Sequence, residues 1–265
     1  MEGLFEADTY TTPPSCPSLL KRLFLWNLTF FYLDLLRLLT RGAIMTLTGR
    51  YTRQRWFYLS LGFKGLVERQ GAQIDVAGMN NFRQIDGPVV YVANHMSMLE
   101  TIVLPGFLIK KSDLCIVMKE QLFKLPIFGT LLKGFRTVSV TRNNPVNDYK
   151  TIIRDGSKAL SDGYSVLIFP QSTRTTQFSG SEFNTVGVKL ARKAGVPVVP
   201  VALKTDFWQV GTLVKELGPL DRSKPVRFKF GHPIAIESRS GKPENQQIIE
   251  YISSTLADWQ ATDDR

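Results

Sequence analysis

Seven short runs of strand-forming residues recur from residue 73 onward, and they constrain the fold of this chain more than any other feature. They read QIDVAG, PVVYVA, LCIVM, TVSVT, YSVLIFP, VPVVPVAL and VRFKFG. Helical stretches separate several of them, at 144–160 and 183–194, and a last helical stretch covers 243–259. This alternation predicts an α/β domain with a mixed, largely parallel sheet flanked by helices. In such sheets, functional side chains collect where strands end and loops begin.

The chain ahead of this domain divides into two further parts. Residues 1–17 are acidic and rich in Pro and Thr, which predicts a loose tail and not a signal peptide. Residues 18–70 have a helical, strongly apolar pattern with basic residues towards the helix ends. The α/β domain then occupies residues 71–265.

The N-terminal helical part, predicted as helices 18–49 and 52–70, has the composition of a membrane-interface element. Its longest uncharged run, 23–33, is shorter than the roughly 20 residues that span a bilayer. The second helix carries these aromatic and basic residues: Arg53, Arg55, Trp56, Phe57, Tyr58 and Phe63. Such residues suit the headgroup level of a bilayer, so we expect an amphipathic two-helix membrane-docking element that attaches the protein peripherally to the cytoplasmic face. The alternative is a buried helical hairpin that caps the main domain.

The net charge of the chain limits the classes of partner that we expect it to bind. The formal net charge is +10, which indicates a polyanionic partner such as anionic lipid headgroups or a phosphorylated substrate. Nucleic acid is not expected, because the charge is spread along the chain and no recognition motif occurs. Cys16 and Cys115 have no metal-ligand spacing and predict two unpaired thiols in a reducing compartment.

The segment VVYVANHMSMLET places one of the two histidines at the end of a predicted strand. The apolar run 89–93 stops at Asn94 and His95, and Ser97 and Glu100 follow. Ser97 and Glu100 have the spacing of a helix capping box, in which the Glu side chain bonds back to the N-cap backbone. A second interpretation is a catalytic pair, because the two side chains can meet if His95 lies on the loop and Glu100 in the first helical turn. The segment alone leaves both interpretations open.

Further polar residues follow other predicted strands. Lys119 comes just after one strand and Arg142 after another. The strand that ends at Pro170 opens into four polar residues, Gln171, Ser172, Thr173 and Arg174. Such groups at a strand end can bind phosphate, with Arg as a two-pronged donor.

Together these segments resemble the glycerolipid (lysophospholipid) acyltransferase superfamily, the PlsC-like enzymes. The family motif N-H-x-S-x-x-D resembles residues 94–100, and a loose G-x-x-F/V-x-x-x-R motif resembles 134–142. The motif F-P-E-G-T-R-S resembles 169–175, and the apolar strand V-P-V-x-P-V resembles 196–201. Order and spacing fit over residues 73–235, and the helical pair resembles the membrane-docking element of bacterial members. The chain departs from the family at two places: Glu100 stands for Asp, and Gln171 with Ser172 stands for Glu-Gly.

The resemblance implies transfer of a fatty acyl group from an acyl thioester, on coenzyme A or acyl carrier protein, to a lysolipid hydroxyl. The implied acceptor is 1-acyl-sn-glycerol-3-phosphate, giving phosphatidic acid, with another lysolipid as the alternative. His95 would be the general base and Glu100 would orient it. The implied substrate-binding residues are Lys119, Arg142, Gln171, Ser172, Thr173 and Arg174. No metal and no cofactor besides the thioester substrate is expected.

The sequence also allows two other functions, a hydrolase and a non-catalytic membrane-binding module, and a structural role for His232. Ser172 could be the nucleophile of a hydrolase triad with His95 and Glu100, although no G-x-S-x-G elbow occurs in the chain. A membrane-binding module without catalysis would leave the His95 and Glu100 pair unused. His232, in FGHPIAI, is predicted to be structural in a turn after a strand.

Overall fold

All seven predicted runs form strands, and they join one eight-stranded sheet. The computed structural model describes residues 7–14, 27–171, 173–212 and 217–264. Within them the strands are β1 Tyr10–Thr11, β2 Ile74–Ala77, β3 Val90–Ala93, β4 Leu114–Lys119, β5 Thr137–Val140, β6 Ser165–Ile168, β7 Val198–Lys204 and β8 Val226–Phe230.

The sheet has the order β1-β2-β8-β7-β3-β6-β4-β5 and is mixed but largely parallel. The pairs β1–β2 and β7–β8 are antiparallel, and the other five neighbouring pairs are parallel. The predicted sheet is thus confirmed. Because β7, β3, β6 and β4 run in the same direction, the residues that follow them meet at one edge of the sheet.

Helices cover both faces of this sheet. They are α1 Leu28–Leu47, α2 Arg53–Arg69, α3 Asn80–Arg83, α4 Leu99–Leu108, α5 Phe128–Leu132, α6 Pro145–Ser161, α7 Val186–Ala194 and α8 Lys242–Asp263. Short 3₁₀ turns cover Glu120–Lys124 and Gly180–Glu182. In β3, Tyr91 and Ala93 face the core shared with α1, α2, α4 and α5, whereas Val90 and Val92 face the core shared with α6, α7 and α8. A strand buried on both faces explains the unbroken apolar run in the sequence.

Local signals in the sequence set several helix ends. The side chains of Asn27, Thr52 and Asn144 accept hydrogen bonds from the first backbone N–H groups of α1, α2 and α6. Helix α7 ends at Gly195, whose φ of 68° lies in the left-handed region that favours glycine.

Helix α2 buries most of the aromatic surface that the sequence assigned to the membrane. Trp56, Phe57 and Phe63 are buried, and Trp56 stacks on Phe135 with ring centroids 4.2 Å apart. Tyr58 is 51% exposed. The interpretation of these aromatic residues as headgroup contacts is therefore wrong for Trp56, Phe57 and Phe63, because they complete the apolar core on one face of the sheet.

Helix α1 differs, since much of its apolar surface faces outward. Six of its large apolar side chains are 40–77% exposed: Leu28, Phe30, Leu33, Leu36, Ile44 and Leu47. No helix in the described ranges is long and apolar enough to cross a bilayer. Residues 18–26 of the predicted first helix, and Cys16, lie outside the described residues.

Residues 7–14 were predicted to be part of a loose tail, but they are ordered. Tyr10 and Thr11 pair antiparallel with β2 and so cover its open edge. The Tyr10 hydroxyl donates to Glu68 of α2 and accepts from Lys64 Nζ at 2.7 Å. The segment is held because it satisfies backbone groups of an edge strand and side chains of a neighbouring helix.

Candidate active site

Asn94, the first residue after β3, anchors the end of this strand to the neighbouring strand β7. Its side-chain nitrogen donates to the Leu203 carbonyl at 2.8 Å, and its oxygen accepts from the Leu203 N–H at 2.8 Å. The buried amide thus ties the end of β3 to β7. The residue that follows, His95, is held at the carboxyl edge of the sheet.

One carboxylate fulfils both interpretations of the His95–Glu100 segment. Glu100 Oε1 lies 2.8 Å from His95 Nδ1 and accepts from the N–H groups of Met96 at 2.6 Å and Ser97 at 2.8 Å. Glu100 Oε2 accepts from the hydroxyls of Ser97 at 2.9 Å and Thr205 at 2.6 Å. The carboxylate therefore caps the start of α4 and contacts the imidazole at the same time.

The capping arrangement differs slightly from the predicted box. Helix α4 begins at Leu99. The Ser97 hydroxyl accepts a hydrogen bond from the Leu99 backbone N–H at 3.0 Å, whereas a capping box would have it accept from the Glu100 backbone N–H. The half of the box in which Glu100 bonds back to the Ser97 N–H is present as predicted.

Glu100 is charged although its side chain is fully buried. Burial alone raises its pKa, but the hydrogen bond and charge of His95, then Thr205 and the Ser97 backbone, hold the pKa below its ordinary value. An ionised carboxylate only accepts hydrogen bonds, so His95 Nδ1 carries the hydrogen. Whenever the ring is neutral, its lone pair is therefore on Nε2, which is the arrangement that a general base needs.

A cavity of about 220 Å³ opens in front of His95. Its walls are formed by His95, Met98, Thr101, Ile116, Val117, Met118, Lys119, Leu122, Arg142, Phe169, Thr173, Arg174 and Val210. The His95 side chain is 11% exposed there, and its ring stacks on Phe169 with centroids 4.4 Å apart. Four predicted substrate-binding residues reach this cavity: Lys119, Arg142, Thr173 and Arg174.

The cavity combines positive charge with apolar walls. Burial, and then the nearby charge of Arg174, lower the pKa of Arg142, while Asp148 acts in the opposite direction. Asp148 also accepts from the Arg142 N–H at 2.6 Å, which fixes this residue at its left-handed φ of 61°. Two guanidinium groups and Lys119 around one cavity favour an anionic ligand, for which Arg is the geometrically suited donor.

Gln171 was also predicted as a ligand residue, but it does not line the cavity. Gln171 is 2% exposed, and its Oε1 accepts from the His95 backbone N–H at 2.7 Å. Ser172 lies outside the described residues. His232 is exposed in the loop after β8, away from the cavity lining.

Sequence reasoning missed Thr205, which bonds to Glu100 across 105 positions of the chain. The available signal was its place directly after the apolar β7 run, at the same edge of the sheet as His95. No local pattern indicates which residue it contacts.

A histidine fixed by a buried carboxylate has the arrangement that general-base catalysis needs, and a cavity with cationic and apolar walls suits an amphipathic anion. The sequence model of the "Acyltransferase" family matches residues 73–204. A Pseudomonas aeruginosa protein named 1-acyl-sn-glycerol-3-phosphate acyltransferase is 31% identical over 237 residues, covering 89% of this chain and 86% of that protein. The chain belongs to the acyltransferase family, which confirms the resemblance of its four motifs.

Two further similarities agree with this assignment. An Escherichia coli protein named 1-acyl-sn-glycerol-3-phosphate acyltransferase is 26% identical over 146 residues, covering 52% of this chain and 59% of that protein. The crystal structure of PlsC, the 1-acyl-sn-glycerophosphate acyltransferase of Thermotoga maritima, superimposes with a TM-score of 0.68. That match covers 91% of this chain and 97% of the other at 20% identity, so it shows a shared fold.

Proposed function

We propose that this O-acyltransferase acylates the free hydroxyl of 1-acyl-sn-glycerol-3-phosphate and forms phosphatidic acid. The observation that carries the proposal is the cavity in which His95, backed by Glu100, faces Lys119, Arg142 and Arg174. The names of the Pseudomonas aeruginosa and Escherichia coli relatives give the same acceptor.

The proposed reaction is a direct transfer between two bound substrates. His95 Nε2 takes the proton of the acceptor hydroxyl as its oxygen attacks the thioester carbonyl carbon. Glu100 holds the ring and stabilises the imidazolium that forms. Collapse of the tetrahedral intermediate breaks the C–S bond, and the imidazolium returns its proton to the departing thiolate. The thioester is already activated, so the reaction requires no acyl-enzyme, metal or other cofactor.

The cavity walls suggest how an acceptor would be held. Lys119, Arg142 and Arg174 would bind the phosphate by charge-assisted hydrogen bonds, and Thr173 adds a hydroxyl beside Arg174. Ile116, Met118, Leu122 and the other apolar walls would contact acyl chain carbons. If the acceptor lacked a phosphate, the same cations would face the phosphates of a coenzyme A donor.

We also propose that the protein attaches peripherally to the cytoplasmic face of a membrane; the apolar stripe of α1 supports the attachment. Phe30, Leu33, Leu36, Ile44 and Leu47 fall within about 120° of one another, at about 100° per residue. Their exposed side chains form one outward face, and the exposed Arg37 and Arg41 suit anionic headgroups. Attachment would deliver a lipid acceptor to the enzyme within the plane of the bilayer.

An acyl-transfer assay with purified protein tests the proposed function. Lysophosphatidic acid, other lysophospholipids and a phosphate-free lysolipid are each offered with acyl-CoA and with acyl-ACP. We expect phosphatidic acid as the main product. His95→Ala should reduce its rate by a factor on the order of 10² to 10⁴ while the protein stays folded at the assay temperature, which circular dichroism checks. A preference for another acceptor, or substantial turnover by His95→Ala, would contradict the proposal. Release of free fatty acid without any lysolipid would favour the hydrolase alternative.

A further inference from the structure

We infer that Gln171 is a positioning residue that fixes the base His95, and that it is not a ligand of the acceptor. The inference rests on the proposed acyl transfer and deepens it. Gln171 follows β6 in the same loop as Thr173 and Arg174, yet the cavity lining excludes it. Its side chain is buried and its Oε1 accepts from the His95 N–H at 2.7 Å.

The loop after β6 holds His95 at three points. The Phe169 ring stacks against the imidazole at 4.4 Å and 25°. Gln171 binds the backbone N–H, and the Thr175 N–H donates to the His95 carbonyl at 3.0 Å. The same loop brings Thr173 and Arg174 into the cavity. One segment therefore places both the base and part of the anion-binding wall.

Gln171 also completes a row of backbone donors. The N–H groups of His95, Met96 and Ser97 are consecutive; Gln171 accepts from the first, and Glu100 accepts from the other two. Without the Gln171 side chain, the buried His95 N–H would have lost its hydrogen-bond acceptor, which is energetically costly.

The amide suits this position because it accepts a hydrogen bond without a charge. Glu100 is already a buried carboxylate against the same short segment, and a neutral acceptor adds no second negative charge beside it. The Gln171 Nε2 is buried and bonds to no atom of the described residues. The Gln171 side chain thus contacts the His95 backbone through its amide oxygen and stabilises the loop that carries His95.

Gln171→Met tests this role, because Met keeps the length and removes the acceptor. We expect kcat to fall by about 10- to 100-fold while KM for lysophosphatidic acid changes less than about threefold, as for a small displacement of a reacting group. Hydrogen exchange at the His95 amide should accelerate at least about tenfold. Gln171→Glu keeps an acceptor oxygen, as a neutral carboxylic acid beside the charged Glu100, and should retain more of kcat than Gln171→Met.

Two variants of the same loop are the controls. Gln177→Met makes the same chemical change at an exposed position and should alter neither kcat nor exchange at His95. Arg174→Gln, in the cavity wall, should raise KM instead.

The inference is overturned if Gln171→Met raises KM with kcat unchanged, since Gln171 would then be a ligand. Unchanged kinetics together with unchanged exchange would overturn it as well. If the wild type transfers no acyl group, the proposed function fails, whereas exchange at the His95 amide still tests the contact with Gln171.

Discussion

Glu100 combines two duties, capping a helix and facing an imidazole, and the two can be separated by substitution. In Glu100→Gln, the amide oxygen can still accept from Met96 and Ser97, and the amide nitrogen can donate to the hydroxyls of Ser97 and Thr205. The cap should survive. The charge that stabilises the imidazolium is lost, so acyl transfer should fall by a factor on the order of 10² or more.

Steady-state kinetics and circular dichroism of Glu100→Gln check this separation. Glu100→Asp is the companion variant: it restores the charge but shortens the side chain, and we expect it to recover part of the activity. Near-normal turnover by Glu100→Gln would mean that the carboxylate is only a helix cap beside a lone base.

The ionisation of Glu100 also makes stability depend on pH. Its pKa is lowered in the folded protein from the ordinary value of 4.5, so the unfolded state binds the proton more tightly. The stabilisation is therefore complete above pH 4.5 and is lost as the pH falls through the lower, folded pKa. Urea unfolding of wild type and Glu100→Gln at several pH values between about 7 and 3 should show their difference in unfolding free energy shrinking below pH 4.5. A difference that is constant down to pH 3 would contradict this assignment of the charge.

At the scale of single elements, α1 has more exposed large apolar side chains than any other described helix. Leu33→Ser/Leu36→Ser changes two exposed side chains, so Tm should stay near that of the wild type. Binding to vesicles that contain anionic lipid should weaken by about 2 kcal/mol, or roughly 30-fold, because less apolar area is buried. Vesicle co-sedimentation measures this change.

The matched control for α1 lies on the opposite face of the sheet. Val146→Ser/Tyr149→Ser alters two exposed apolar residues of α6 and should leave vesicle binding unchanged. Equal losses in both double variants would mean that the apolar stripe of α1 has no special role in attachment.

At the scale of the whole molecule, the helical pair and the α/β domain share one core. Phe63 of α2 is 3% exposed and belongs to the same apolar cluster as Tyr91 and Leu167 of the central strands. Phe63→Ala should therefore destabilise the whole protein by about 3–5 kcal/mol in a single transition. Tyr58→Ala, at a half-exposed position of the same helix, is the control and should change the unfolding free energy little. Two separate thermal transitions in the wild type would show instead that the pair folds as an independent unit.

The sequence by itself determined the strands and the residues that follow them. Strand-forming runs are local signals, and an apolar run that stops at Asn94 and His95 marks a strand end whatever its neighbours are. The spacing of Ser97 and Glu100 likewise predicted a cap. For this reason the sequence predicts the α/β class, the strand-end position of His95 and the three cationic residues of the cavity wall, Lys119, Arg142 and Arg174.

Only the tertiary structure decided how these pieces meet. Gln171 and His95 are 76 positions apart, and Thr205 and Glu100 are 105 apart, so their contacts depend on the strand order and not on any local pattern. The same applies to α2, whose aromatic residues have a composition that suits either a bilayer or a core. They are buried because α2 packs on α1 and α4, where the apolar face of the sheet would otherwise meet water.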